Sequence, residues 1–206
     1  MDFIFKMKMR EIDIRRSLNH EVLSLFPEDK DAIVINEFGI CQGEARIDLA
    51  VINGSINGFE IKSENDTLER LPSQQEVYNR VLDTITVVTG DKYIDKVTDY
   101  IPNWWGIIRA QQRGKEVRLE RIRSCGNNPN IDPFSLVQLL WHREALSILE
   151  EYKLANGLRS KPRRYIWHAL AENIPVEQLS RIVRETLKKR EALKKRGNST
   201  VDSLQK

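Results

Sequence analysis

The sequence has few of the residues that build disulfide frameworks and soft-metal sites. Its two cysteines are Cys41 and Cys125, and its three histidines are His20, His142 and His168, all far apart in the chain. Two cysteines make neither a disulfide framework nor a zinc ligand set, and isolated histidines are typical of structural positions. We therefore expect inert thiols and a reducing, cytoplasmic location.

Long apolar runs are also missing. No run approaches the roughly 18 residues that would cross a membrane, and the first ten residues lack the apolar stretch of a signal peptide. We therefore expect no membrane partner. Hydrophobic residues still make up 40% of the chain, which is enough for the core of one domain with an appendage.

Charge is distributed unevenly along the chain. Residues 1–103 carry a net charge of −7 and residues 104–206 a net charge of +10. This asymmetry favours a polyanion partner such as nucleic acid, although two differently solvated surfaces explain it equally well. The candidate phosphate contacts in the basic half form two clusters, which are Lys161, Arg163 and Arg164, and Lys188 and Lys189.

Periodicity predicts an α/β module followed by helices. The predicted order is a helix at 11–26, strands at 31–40, 46–52 and 56–63, a helix from about residue 71, a strand at 84–89, a short helix at 91–100, and a hairpin at 104–110 and 116–123. Helices follow at 133–153, 163–171 and 175–196. We predict a core module at residues 1–125, a helical cap or subdomain at 126–196, and a flexible tail at 197–206.

The most informative stretch is the first predicted hairpin. Alternation places Glu60 and Lys62 on one face of their strand. On the partner strand Asp48 faces away from a predicted apolar face formed by Ile47, Leu49 and Val51. A three-residue loop at 53–55 pairs every apolar residue with another and sets Asp48 opposite Glu60, whereas a two-residue turn would put these carboxylates on opposite faces.

Two carboxylates that face each other on a sheet, with Cβ atoms roughly 5 Å apart, repel unless a cation lies between them. Magnesium is held by one or two carboxylates together with water and phosphate oxygens, and Mn²⁺ is the alternative ion. Lys62 is placed to orient or activate a water molecule for attack on phosphate. The alternative interpretation is a solvated surface cluster that Lys62 neutralises.

The next helix adds polar groups to this face. Gln74 and Tyr78 are separated by four residues and share one side of the helix. A glutamine can hydrogen-bond water or phosphate without adding charge, whereas Tyr78 is expected to be a core residue. Arg46 and Arg70 are candidate phosphate contacts beside the site.

This order of elements and residues resembles the PD-(D/E)XK nuclease superfamily, whose core has the arrangement αβββαβ. The likeness is carried by residues 46–48 (Arg-Ile-Asp), by residues 58–63 (Gly-Phe-Glu-Ile-Lys-Ser), and by Gln74 and Tyr78. A longer string that reaches residue 107 resembles a family of small bacterial and phage-borne proteins within that superfamily. The resemblance implies a restriction-endonuclease-like α/β fold with a mixed central sheet, plus a C-terminal helical subdomain.

The resemblance also implies roles for particular residues. Asp48, Glu60 and the Ile61 carbonyl would bind Mg²⁺ or Mn²⁺, Lys62 would be the catalytic lysine, and Gln74 would assist. Many members of the superfamily place a further acid upstream, and the candidates here are Glu37, Glu21 and Glu11. Glu37 is favoured because its strand neighbours that of Asp48.

We therefore expect a metal-dependent nuclease that hydrolyses DNA phosphodiester bonds. RNA remains an alternative substrate, and a homodimer or a protein partner is possible. The alternative function is a nuclease fold with weak or no catalysis that binds nucleic acid or a protein. A third hypothesis is a regulatory or interaction protein of a mobile element.

Overall fold

The computed structural model describes residues 9–26, 31–114 and 116–203, with side chains up to Lys194. Its strands are β1 (Ile33–Ile40), β2 (Ala45–Ile52), β3 (Ile56–Lys62), β4 (Thr84–Thr89), β5 (Gly106–Arg113) and β6 (Glu116–Arg123). Its helices are α1 (Glu11–Glu21), α2 (Leu71–Tyr78), α3 (Ile94–Val97), α4 (Pro133–Val137), α5 (His142–Glu151), α6 (Arg163–Asn173) and α7 (Val176–Ser203).

The six strands form one mixed sheet in sequence order, β1 to β6. β3, β4 and β5 run parallel, while the remaining neighbours are antiparallel. Between β2 and β3, Ile52 pairs with Ile56 and Leu49 with Phe59. This is the predicted register of a three-residue loop, and the pairing ends at Leu49 and Phe59, the residues next to Asp48 and Glu60. The prediction of a mixed α/β sheet followed by helices is therefore confirmed.

Both faces of the sheet are covered. α1 packs on one face, in a cluster with Leu49, Val51 and Phe59. α2 and the C-terminal helices pack on the other face, which we call the α2 face. Glu60 lies on the α2 face, where it contacts side chains of α2, and Phe59 lies on the α1 face. This is the arrangement that the alternation predicts.

The alternation on β1 and β2 changes at Glu37 and Asp48, which lie between the paired residues Asn36 and Leu49 on one side and Phe38 and Ile47 on the other. Glu37 has a φ of +54°, a left-handed conformation that non-glycine residues rarely adopt. Beyond this point Phe38 and Ile47 pack on the α2 face. The prediction of one apolar face shared by Ile47, Leu49 and Val51 is therefore wrong, because the alternation of side chains between the two faces is interrupted at the two acidic residues.

The long helix predicted at 133–153 is two helices, α4 and α5. Trp141 has an extended backbone (φ −68°, ψ 157°), and its N–H donates to the Glu144 carboxylate at 2.7 Å, which caps α5. The apolar spacing of Val137 and Leu140 continues across the break because residues of both helices pack on the same core. Apolar periodicity alone could not show the interruption.

The C-terminal helices share a core with the sheet. Leu136, Ile166 and Leu179 belong to the same buried cluster as Ile47 and Tyr78. α7 runs to Ser203, past the predicted end at residue 196. In the described part of the chain, every helix is too short or too polar to span a bilayer.

Ion pairs of Arg184 and Arg190 bind α7 to the rest of the molecule. Arg184 lies 3.4 Å from the half-buried carboxylate of Asp83, just before β4, and Arg190 pairs with Glu144 of α5. These two arginines lie in the basic half of the chain, close in sequence to the candidate phosphate contacts Lys188 and Lys189. Because their guanidinium groups are used within the fold, fewer cations of α7 are available to a partner.

Candidate active site

Glu60 is the centre of a buried polar network on the α2 face. Its Oε1 atom accepts hydrogen bonds from Lys62 Nζ and from Gln74 Nε2, both at 2.8 Å. Lys62 Nζ also donates to Gln74 Oε1 at 2.9 Å. The Glu60 and Lys62 side chains are each only 4% exposed. The structure therefore brings together three of the predicted catalytic residues in one closed ring of contacts.

Tyr78 completes this network from the last turn of α2. Its hydroxyl oxygen lies 2.8 Å from Glu60 Oε2 and 2.8 Å from the Arg46 carbonyl oxygen, so it can donate to only one of them at a time. Burial, and then the Glu60 charge, raise the pKa of Tyr78, which keeps the phenol protonated. The expected core role is confirmed, but Tyr78 also binds the candidate metal ligand.

Asp48 lies next to this network and has different partners. Its Oδ2 atom accepts the Ile61 N–H at 2.7 Å, and its Oδ1 atom accepts Arg15 Nη2 at 2.6 Å. Burial, followed by the Glu60 charge, raises the pKa of Asp48 to about 6, although the Ile61 N–H and Arg15 act in the opposite direction. Asp48 and Glu60 thus repel each other, as expected for carboxylates on facing positions.

Arg15 is the site residue that the sequence did not reveal. It projects from α1 and pairs with Asp48, with Glu37 at 2.8 Å and with Glu11 at 2.6 Å. The one sequence signal was the spacing of Glu11 and Arg15, which are four residues apart on a helix and can pair. Such pairs usually lie on the surface, so the spacing could not show that Arg15 reaches the sheet.

The three candidates for the upstream acid, Glu37, Glu21 and Glu11, differ in their contacts. Glu37 and Glu11 are both joined to Asp48 through Arg15. Glu21 is an exposed residue of α1 six positions beyond Arg15. In the described residues no three His, Cys, Asp or Glu side chains lie close enough together to hold a metal ion. A role for Glu37 as a third carboxylate ligand remains a prediction.

The candidate nucleic-acid contacts fall into two regions. Arg46 and Arg70 are exposed beside the site, and Arg46 Nε lies 3.5 Å from Glu37. The residues in the helical region lie just before α6, at its start and on α7; they are Lys161, Arg163, Arg164, Lys188 and Lys189. All of these except the half-buried Lys188 are exposed.

The fold and the site define a mixed α/β protein with an acidic and lysine-containing cluster at the centre of its sheet. The family model described as bacteriophage P4 protein cII matches residues 6–205. The chain therefore belongs to that family. This membership agrees with the expected link to phage-borne proteins.

One curated relative is protein cII of Enterobacteria phage P4, which is 26% identical over 160 residues. The match covers 78% of this chain and 60% of the relative, so the chain spans about three fifths of the phage protein. Among solved structures, a protein of unknown function from Silicibacter pomeroyi superposes with a TM-score of 0.45 and 16% identity. That superposition covers 75% of this chain and 98% of the other protein.

Proposed function

We propose that this protein is a metal-dependent nuclease of the PD-(D/E)XK type that hydrolyses phosphodiester bonds in DNA. The observation that carries the proposal is the meeting of Glu60, Lys62 and Gln74 beside Asp48 on one sheet. The element order from α1 to β4 is the αβββαβ order of that superfamily. A buried lysine held by a glutamate and a glutamine is a costly arrangement, which points to chemistry rather than to packing.

The donor set fits Mg²⁺ or Mn²⁺. Asp48 and Glu60 would supply two carboxylates, and the carbonyl of Ile61, the residue after Glu60 on β3, would supply a third oxygen. Magnesium commonly takes one or two protein carboxylates and fills its other positions with water and phosphate oxygens. When bound, such an ion lowers the pKa of water and stabilises negative charge on the phosphate.

Lys62 is the residue best placed to handle the water molecule or the phosphate. An ammonium group has three N–H donors, and two of those of Lys62 go to Glu60 and Gln74. The third donor has no partner among the residues that the structure describes. Because Glu60 and Gln74 fix the direction of the ammonium group, this donor can orient a water molecule or a phosphate oxygen without reorganisation.

The test is cleavage of supercoiled plasmid and of branched DNA with Mg²⁺ or Mn²⁺. We expect the wild-type protein to cut and Lys62→Met to cut about 10²-fold or more slowly, since positioned proton-transfer and charge-stabilising groups contribute on that order. Asp48→Ala should lose activity to a similar degree. Circular dichroism would show that each variant is folded.

The matched control is Lys96→Met, which removes an exposed lysine in α3 by the same chemical change. It should cut like the wild type. If Lys62→Met and Asp48→Ala also cut like the wild type, the activity comes from another protein in the sample and the proposal is wrong.

A second candidate function is a nuclease fold that binds nucleic acid without cutting it. One observation favours it, because each carboxylate oxygen of Asp48 and Glu60 already has a hydrogen-bond partner within the protein. The exposed Lys161, Arg163 and Arg164 would then hold the phosphate backbone. DNA binding in EDTA that weakens steeply with salt, without cleavage in Mg²⁺ or Mn²⁺, would support this alternative.

A further inference from the structure

Arg15 is the most densely bonded charged group near the candidate site. Its guanidinium donates to Asp48 Oδ1 at 2.6 Å, to the Asp48 carbonyl at 2.9 Å, and to Glu11 at 2.6 Å. It also pairs with Glu37 at 2.8 Å. Its side chain is only 15% exposed. One cation thus holds three carboxylates, which would repel one another without it.

The two candidate metal ligands therefore each have a protein cation of their own. Glu60 has Lys62, and Asp48 has Arg15. Lys62 contacts Glu60 from the same strand, whereas Arg15 reaches Asp48 from a helix on the opposite face of the sheet. Arg15 occupies Asp48 Oδ1, while Oδ2 accepts the Ile61 N–H, so a metal ion that binds Asp48 through Oδ1 must displace the guanidinium.

The other contacts of Arg15 allow its guanidinium to leave Asp48. Glu11 and Glu37 are about half exposed, with 47% and 49% of their side chains accessible. They can therefore move with the guanidinium and keep it paired outside the site. Departure would break the two bonds to Asp48 and preserve two others, which lowers its cost compared with full hydration of an unpaired charge.

We propose that Arg15 is a built-in cation that competes with a divalent metal ion for Asp48, so that the metal binds only when the guanidinium withdraws toward Glu11 and Glu37. This inference rests on the metal site of the proposed function. It adds a residue that sets the metal affinity of the site. It also explains how Glu11, Glu37 and Asp48 can lie close together in the folded chain, since Arg15 supplies the positive charge that offsets their repulsion.

The test is calorimetric titration of Mn²⁺ into the wild-type protein and into Arg15→Met, without DNA. Arg15→Met keeps much of the side-chain volume and removes the competing charge. We expect it to bind Mn²⁺ about tenfold more tightly or better, because a full charge in contact with a ligand oxygen is lost. The double variant Arg15→Met/Asp48→Asn should lose this gain.

Arg16→Met is the matched control, because Arg16 is the next residue on α1 and is exposed. It should leave Mn²⁺ affinity unchanged. Arg15→Lys serves if Arg15→Met does not fold, since it keeps the charge but loses the fork that binds several oxygens. It should bind Mn²⁺ a few-fold more tightly than the wild type. Folded Arg15 variants with wild-type or weaker affinity would overturn the inference, as would the absence of Mn²⁺ binding in all variants.

These outcomes separate the inference from the proposed function. Tighter Mn²⁺ binding by Arg15→Met without DNA cleavage by any variant would support the inference and refute the nuclease. Cleavage by the wild type with unchanged Mn²⁺ affinity in Arg15→Met would support the nuclease and refute the inference about Arg15.

Discussion

The two carboxylates of the candidate site lie on the neighbouring strands β2 and β3 but in contrasting surroundings. Glu60 is 4% exposed and is bound by three side chains, Lys62, Gln74 and Tyr78. Asp48 is 18% exposed, and its one side-chain partner in the described residues is Arg15. The Glu60 side is a closed network, whereas the Asp48 side depends on one ion pair that reaches across from α1.

This difference indicates how the two sides divide their work. A network whose members hold one another is preorganised and resists change, which suits a group that must keep Lys62 in a fixed direction. A carboxylate held by one long side chain can change partners at lower cost. We therefore expect the Glu60 side to dominate stability and the Asp48 side to control ion binding.

The largest effect on stability is expected from Glu60→Ala. The change leaves the buried Lys62 ammonium without its carboxylate, and removing one partner of a buried ion pair typically costs about 3–5 kcal/mol. We expect a loss of that size in the free energy of unfolding, measured by urea denaturation. Glu69→Ala, at an exposed acid outside the network, should change stability by less than about 0.5 kcal/mol. Equal losses in the two variants would contradict the assignment.

A smaller effect is expected from the protonation of Asp48. Its pKa of about 6 in the folded chain exceeds the value of roughly 4 in an unfolded chain, so the folded state binds more protons between these values. The contribution of Asp48 to stability is therefore fully present below about pH 4 and is lost as the pH rises through 6. The pKa difference corresponds to about 2–3 kcal/mol.

Urea denaturation from pH 4 to 7 would measure this effect as the difference between the wild type and Asp48→Asn. Asp83, whose pKa burial also raises, is present in both proteins, so its contribution cancels in the difference. The wild type should lose stability relative to the variant as the pH rises. A flat difference would show that folding does not shift the pKa of Asp48, and a difference that favours the wild type at higher pH would show that folding lowers it; either result would contradict the prediction.

The smallest effect concerns the other arginine that pairs with Glu37. Arg46 lies 3.5 Å from that carboxylate and is 65% exposed, and such surface pairs contribute about 0–1 kcal/mol. Arg46→Ala should therefore change the free energy of unfolding by less than about 0.5 kcal/mol, and by much less than Arg15→Ala. A loss above about 1 kcal/mol in thermal or urea unfolding would mean that Glu37 is organised by Arg46 rather than by Arg15.

Local patterns were sufficient to predict most of the sheet and half of the site. The pairing of Ile52 with Ile56 follows from apolar matching across a short loop, and with Leu49 paired to Phe59 it brings Asp48 and Glu60 close together. Gln74 could be assigned to the site because the helix after β3 must return over the same sheet face. These inferences needed only contacts between residues close in the sequence.

The remaining features depend on contacts between distant segments. Arg15 reaches Asp48 across 33 positions of sequence, and nothing in the composition of α1 distinguishes it from the exposed Arg16. The change of face at Glu37 requires a left-handed φ that is atypical of glutamate. The division between α4 and α5 also escaped prediction, since the apolar residues of both helices contact one core.

The change of alternation at Glu37 and Asp48 connects the helical region to the candidate site. The tip of the β1–β2 hairpin beyond these residues packs against the helical region. There Phe38 and Ile47 belong to the same core as Leu136 of α4 and Leu139, which follows α4. The Gln42 side chain also donates to the Gln138 carbonyl at 3.2 Å. A displacement of α4 would therefore move the tip of the β1–β2 hairpin, and Glu37 and Asp48 are the residues at which this tip joins the rest of the sheet.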